Sequence, residues 1–132
     1  MLRKTGARVF VWAALLCLLR PGSVAAQDRD DKFNAESQIV EAARYYYQIE
    51  GDFESAKTRL EALVADSRNE EVLTQALFLL GKIYDESNDH SSALRDYKRA
   101  LGGKGLQSAE KFWLYRRLLD LSPGSIQPMA VD

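Results

Sequence analysis

From about Phe33 onward apolar residues recur three and four positions apart, and no stretch alternates between apolar and polar for long enough to read as a strand. This periodicity predicts an all-α chain of five helices. The first runs roughly over residues 34–49 and turns Ile39, Ala42, Ala43 and either Tyr46 or Tyr47 to one side. Gly51 ends it, because glycine takes the left-handed, helix-terminating conformation at little cost. Asp52 is placed to cap the second helix, whose stripe is Phe53, Ala56, Leu60, Leu63 and Val64. The third starts near Asn69, carries Leu73, Ala76, Leu77, Leu80, Ile83 and Tyr84, and is broken by Asn88 and Asp89. The fourth carries Ala93, Leu94, Tyr97, Ala100 and Leu101 and stops in Gly102-Gly103-Lys104-Gly105, where glycines cannot sustain a helix. Ser108 is expected to cap the fifth, which contains Phe112, Trp113, Leu118 and Leu119; Ser122-Pro123-Gly124 ends it and leaves a loosely ordered tail over residues 122–132.

Laying the first helix pair on the second aligns Tyr47, Asp52 and Ala56 with Tyr84, Asp89 and Ala93. The small residue has a physical reason: two helices joined by a tight turn come closest beside the turn, and there only a small side chain fits. On these residues, and on Leu77, Leu80-Gly81, Tyr84, Ala93, Tyr97 and Ala100-Leu101 at the family's spacings, residues 37–121 resemble the tetratricopeptide repeat (TPR) family. The second copy matches throughout. The first keeps Tyr47, Gly51, Asp52, Phe53 and Ala56 but has Ala43-Arg44 in place of Leu-Gly and Leu63 in place of a small residue. The copies stand 37 residues apart and lack the usual intervening proline, so the second helix is expected to be longer by about one turn. Helix five, with no second helix following it, is expected to cap the stack, Phe112 and Trp113 covering it while Arg116, Arg117 and Asp120 face water.

The resemblance implies a concave groove lined by the first helix of each repeat. Its ligand-facing positions fall on Gln38, Glu41, Tyr45, Gln48 and Ile49, on Gln75, Phe78, Lys82, Asp85 and Glu86, and on Phe112, Arg116 and Asp120. Rings beside charged and amide groups suit a peptide or partner protein. Phe78 has a second reading, packed against helix five, and Lys82 and Asp85 a second reading as solvated charges. Of Tyr45-Tyr46-Tyr47, consecutive positions point about 100° apart, so Tyr47 is expected in the core, Tyr45 toward the groove and Tyr46 against helix two or the N-terminal extension.

Residues 1–26 have the three parts of a secretory signal: basic Arg3, Lys4 and Arg8, an apolar run over residues 9–19, and small Val24-Ala25-Ala26. Cleavage would leave Gln27 first, with residues 27–36 as an N-terminal extension; retention as an anchor is the alternative. The apolar run is short of the roughly 20 residues a spanning helix needs, so no stable membrane span is expected after cleavage. The one cysteine, Cys17, lies in this segment behind Leu16, whereas lipid attachment normally follows a small residue. Four of the 18 basic residues and none of the 19 acidic ones lie there too, leaving 14 against 19, a net −5 that argues against nucleic acid. The chain also loosely resembles small exported TPR proteins of the Gram-negative envelope, in phrases such as Leu121-Ser122-Pro123-Gly124-Ser125. That implies a periplasmic location. His90 is the only histidine and has no cysteine beside it, and Glu70-Glu71 and Asp85-Glu86 sit at helix ends, where acidic pairs are common. No enzyme activity, metal or cofactor is therefore expected. The reading is an adaptor or scaffold in envelope assembly or maintenance, with a self-associating subunit (a homo-oligomer) as the alternative.

Overall fold

A computed structural model describes residues 21–122, which are all-helical and contain no strand. The helices are α1 (Pro21–Tyr45), continued by a π-helical turn (Tyr46–Glu50), then α2 (Phe53–Asp66), α3 (Glu70–Glu86), α4 (His90–Leu101) and α5 (Ser108–Leu121). No described helix is long and apolar enough to cross a membrane. The apolar run 9–19, Cys17 and the tail beyond Ser122 lie outside the described residues.

The chain divides into two compact units, Met1–Asn34 and Ala35–Asp132. What is described of the first is the beginning of α1, whose side chains from Val24 to Asn34 are exposed. The helix thus starts well ahead of residue 34 and takes in the segment read as an extension. Pro21 suits a first helical position, where the missing N–H would have no partner anyway. No glycine or proline follows Gly22 until Gly51, and Asp28 and Lys32 are spaced as a helical acid–base pair. This stretch carries no apolar stripe, and a stripe was the basis of the reading.

The second unit holds two adjoining clusters of buried residues. Val40 and Ala43 of α1, Ala56, Leu60 and Leu63 of α2, and Val72, Ala76, Leu79, Leu80 and Ile83 of α3 make the first. Leu77 and Phe78 of α3, Ala93, Tyr97 and Ala100 of α4, Leu106, and Leu114 and Leu118 of α5 make the second. Helix α3 belongs to both, and from Ala76 to Gly81 six successive residues are buried. A helix with partners on several sides has no polar face to complete a stripe, which is why Phe78 and Leu79 escaped the periodic reading. Full burial of a side chain such as Leu60 or Leu114 contributes about 1.5–3 kcal/mol.

Two expected stripes are corrected by rotation about the helix axis. In α1 the inward residues are Val40 and Ala43, and Ile39 is exposed. In α5 they are Leu114 and Leu118, four apart, while Phe112 (70% exposed) and Leu119 (48%) face outward. Phe112 therefore does not cover the stack.

The turns repeat closely. Gly51 and Asn88 are both left-handed (φ 67° and 61°), each directly ahead of a capping aspartate; asparagine is among the few other residues that visit this region. Asp52 accepts from the Ser55 amide (3.0 Å) and Asp89 from the Ser92 amide (3.1 Å). Ala56 and Ala93 are fully buried beside those turns, as the close helix approach requires. Asn69 caps α3 by accepting from the Glu71 and Val72 amides at 3.0 and 3.2 Å. For α5 the cap falls on Gln107, whose amide donates to Glu110 Oε2 (2.8 Å), one residue before the expected Ser108. Helix α2 has 14 residues and α4 has 12, a difference in the direction the 37-residue spacing predicts.

Candidate binding groove

Two adjoining concavities open where the end of α1 and its π-helical turn, α3 and α5 come together. The larger, about 740 Å³, is lined by Tyr47, Lys82, Asp85, Glu86, Asn88, Tyr97, Trp113, Arg116, Arg117 and Asp120. The smaller, about 250 Å³, is lined by Arg44, Gln48, Phe78, Leu79, Lys82, Ala109, Glu110 and Trp113. Lys82 and Trp113 belong to both.

The floor is aromatic. Trp113 meets Phe78 and Tyr97 edge to face, with centroids 5.7 Å apart in each pair and interplanar angles of 87° and 80°. The Lys82 ammonium lies 4.8 Å from the ring centroids of both Phe78 and Trp113. Ring faces attract a cation, but burial dominates here and holds the Lys82 amine below the usual lysine range.

The wall beside α4 is built on Asp85. Its carboxylate accepts from Arg117 Nε (2.6 Å) and Nη2 (2.7 Å), a bidentate pair, and from the Tyr97 hydroxyl (3.2 Å). His90 Nδ1 is 3.3 Å away. The Arg117 bond, ahead of other causes, holds the Asp85 carboxyl below the ordinary aspartate range. Burial, and then the charge of Asp85, push the Tyr97 phenol well above its usual value. Two further tyrosines cross between helices in the same manner: Tyr47 donates to Glu86 of α3, and Tyr84 donates to Glu61 of α2. Burial first and then the glutamate bond raise both phenols, that of Tyr84 to about 12.

Of the residues expected in a groove, Gln48, Phe78, Lys82, Asp85, Glu86, Arg116 and Asp120 line it. Glu41, Tyr45, Gln75 and Phe112 do not, nor do Gln38 and Ile49. Glu41 stands outside, 3.7 Å from Arg44 Nη2. Tyr45 is 52% exposed and sits edge-on to Tyr46, which in turn lies under the Arg59 guanidinium of α2. Gln75 is occupied within the fold, accepting from Arg44 Nη2 (3.3 Å) and donating to the Gly105 carbonyl (2.8 Å). Two residues that do line the groove differ in role from the expectation. Phe78 is only 6% exposed and forms floor, and the Asp85 carboxylate is held by Arg117 rather than open to water.

Sequence reasoning placed Trp113 as a cover and Arg117 in solvent, and did not select Arg44, Tyr97 or Asn88. The Gly51 amide bonds back to the Tyr46 carbonyl, five residues earlier, so a π-helical turn closes the first helical segment ahead of Asp52. Arg44 did carry a signal: it occupies the place that Gly81 holds in the second copy. No family model, no curated protein and no solved structure matches this chain.

Proposed function

We propose that this chain is an exported, TPR-like interaction module that holds a peptide segment or partner protein in the groove between α1, α3 and α5. The observation that carries the reading is the pair of concavities meeting at Lys82 and Trp113, with an aromatic floor and polar side chains around the rim. Such a surface offers contact area from rings that are already fixed by packing, so little side-chain freedom is lost on binding. The repeated cap, left-handed turn residue and buried alanine support a repeat architecture, for which concave faces are the usual binding surface. A periplasmic location rests on the signal-like pattern of residues 1–26.

The test uses Gln48→Ala with Arg116→Ala, both exposed lining residues. Affinity capture from envelope extract should lose the specific partner, while the thermal melt changes by less than about 0.5 kcal/mol. Unchanged capture by a folded variant would move the binding surface elsewhere. Self-association is favoured by a separate observation, the outward Phe112 and Leu119 on one side of α5. If that reading holds, Phe112→Ser with Leu119→Ser should convert a dimer to a monomer in sedimentation experiments without touching the groove.

A further inference from the structure

We propose that the larger concavity takes a short neutral saccharide, with one sugar ring resting on Trp113 and its hydroxyl groups bonded to the polar side chains around it. This goes beyond the groove reading above, since it concerns the larger concavity alone and a ligand of a different class.

The lining of this concavity is balanced in charge. Lys82, Arg116 and Arg117 stand beside Asp85, Glu86 and Asp120, as many cations as carboxylates. Such a wall draws neither an anion nor a cation by net charge, and burial works against the one amine already there. What it offers is a dense mixture of donors and acceptors. A hydroxyl group both gives and takes a hydrogen bond, so a ring carrying several of them uses the carboxylates and the cations alike, and Asn88 adds an amide that does both. An apolar occupant would strip water from these groups and replace it with nothing. Several of them are already oriented and still have capacity. Arg117 spends two of its N–H groups on Asp85 and keeps the rest, and Glu86 is fixed by the Tyr47 hydroxyl with lone pairs to spare. Lys82 donates no hydrogen bond among the described residues, although it is half-buried.

Trp113 supplies the platform. Of the floor rings, Phe78 and Tyr97 are buried, whereas Trp113 keeps more than a third of its surface open. Its ring face is electron-rich, and the C–H bonds along one side of a sugar ring carry partial positive charge, so the two surfaces attract. The Lys82 ammonium, 4.8 Å from the indole centroid, brings a donor to the same place. Size agrees as well: about 740 Å³ lies within the ~300–1,000 Å³ of small-molecule sites, and the smaller concavity, about 250 Å³, lies below it.

The experiment applies the full chain to an array of immobilised glycans that are neutral, aminated, carboxylated or sulfated, and then titrates the free oligosaccharide of a retained glycan by calorimetry. Neutral glycans should be retained, and the free sugar should compete for them. Lys82→Met and Asp120→Ala should each weaken binding about tenfold, the loss of one hydrogen bond to a charged group. Asp120→Asn should keep most of the affinity, because its amide oxygen still accepts, and added salt should change little, because no ion pair forms with the ligand. Thermal melts show that each variant is folded. Retention of no neutral glycan, retention confined to carboxylated or sulfated ones, failure of the free sugar to compete, or indifference to both Lys82→Met and Asp120→Ala would each overturn the proposal. Gln48 lines only the smaller concavity, so Gln48→Ala should leave the sugar affinity unchanged. If no sugar binds while the Gln48 and Arg116 double variant still loses its extract partner, the saccharide is wrong and the groove reading stands. If that variant keeps its partner while the sugar titrates as described, the groove reading has failed and the saccharide site stands.

Discussion

In the second helical hairpin, α3 with α4, position 81 is glycine, and a Cβ built there would meet the Tyr97 ring at 2.4 Å. Thirty-seven residues earlier the first hairpin has Arg44, and Leu60 stands where Tyr97 stands in the second. Leu60 and Tyr97 are equally and fully buried, so the two cores are filled to the same degree by different means. Omitting one side chain at Gly81 admits a ring long enough to cross the interface, touch Phe78 and Trp113, and place its hydroxyl on Asp85. Where the side chain is kept, as Arg44, it extends across to α3 and becomes part of the smaller concavity. One turn further along, the matching pair is Gln48 and Asp85, an amide against a carboxylate. The comparison teaches that the two hairpins share cap, turn residue and alanine, and that their differences at positions 44 and 81 and at 60 and 97 bring Arg44 and Tyr97 to the concavities.

The largest expected effect comes from the ring itself. Tyr97→Ala should cost about 3–5 kcal/mol in urea unfolding, as for a buried aromatic, and Leu60→Ala about 2–5 kcal/mol. A loss under about 1 kcal/mol for Tyr97 would mean that the second hairpin does not depend on it. Next, Gly81→Ala should destabilise by about 1–3 kcal/mol through overpacking, because the atoms it meets are in the middle of a buried ring. The better helix propensity of alanine offsets about 0.5–1 kcal/mol of that. Arg44→Ala, at the equivalent place, should cost less, and equal effects would erase the asymmetry.

A smaller effect separates Gln48 from Asp85. The Asp85 carboxyl is held below its ordinary value by Arg117, so its contribution is complete above the unfolded value, about 3.9, and is lost as pH falls through the lower folded value. The native chain should therefore lose more stability between about pH 5 and about pH 3 than Asp85→Asn does. Parallel acid melts would exclude this if the two curves kept a constant separation. Smallest of all should be the caps. Asp52→Ala and Asp89→Ala each remove one bond to a serine amide of nearly the same length, and should lower the melting temperature slightly and alike. A large disparity between them would show that the hairpins do not share a design at the turn.

Most of the helical layout from Asp52 on was legible, because caps, left-handed turn residues and apolar spacing are local. Asp52 and Asp89 cap where the sequence placed them, α3 starts beside Asn69 as expected, and Gly51 takes the expected conformation. The start of α1 was not legible, since an exposed helix without an apolar stripe gives no periodic signal. The groove was legible by half. Of the α3 positions that the family resemblance implied, Phe78, Lys82, Asp85 and Glu86 line the concavities and Gln75 does not. What Asp85 does depends on Arg117, 32 residues away, and Gln75 is taken up by Arg44, 31 residues away, and by the Gly105 carbonyl. Partners distant along the chain decide whether a charge is spent or available, and spacing carries no record of them.

Trp113, described above as part of the floor, also makes the groove optically distinguishable from the rest of the protein. The sequence has two tryptophans, and the other, Trp12, lies in the segment expected to be removed, so a chain beginning at Gln27 has a single indole. That indole is 38% exposed, with the Lys82 ammonium over its face. Its emission responds to the water and charge around it, so an occupant that displaces water should shift the spectrum toward the blue in proportion to occupancy. Binding at the outward face of α5, by Phe112 and Leu119, should leave the emission maximum nearly where it was. A titration in a fluorimeter, without any attached label, thus reports which of two surfaces a partner has chosen.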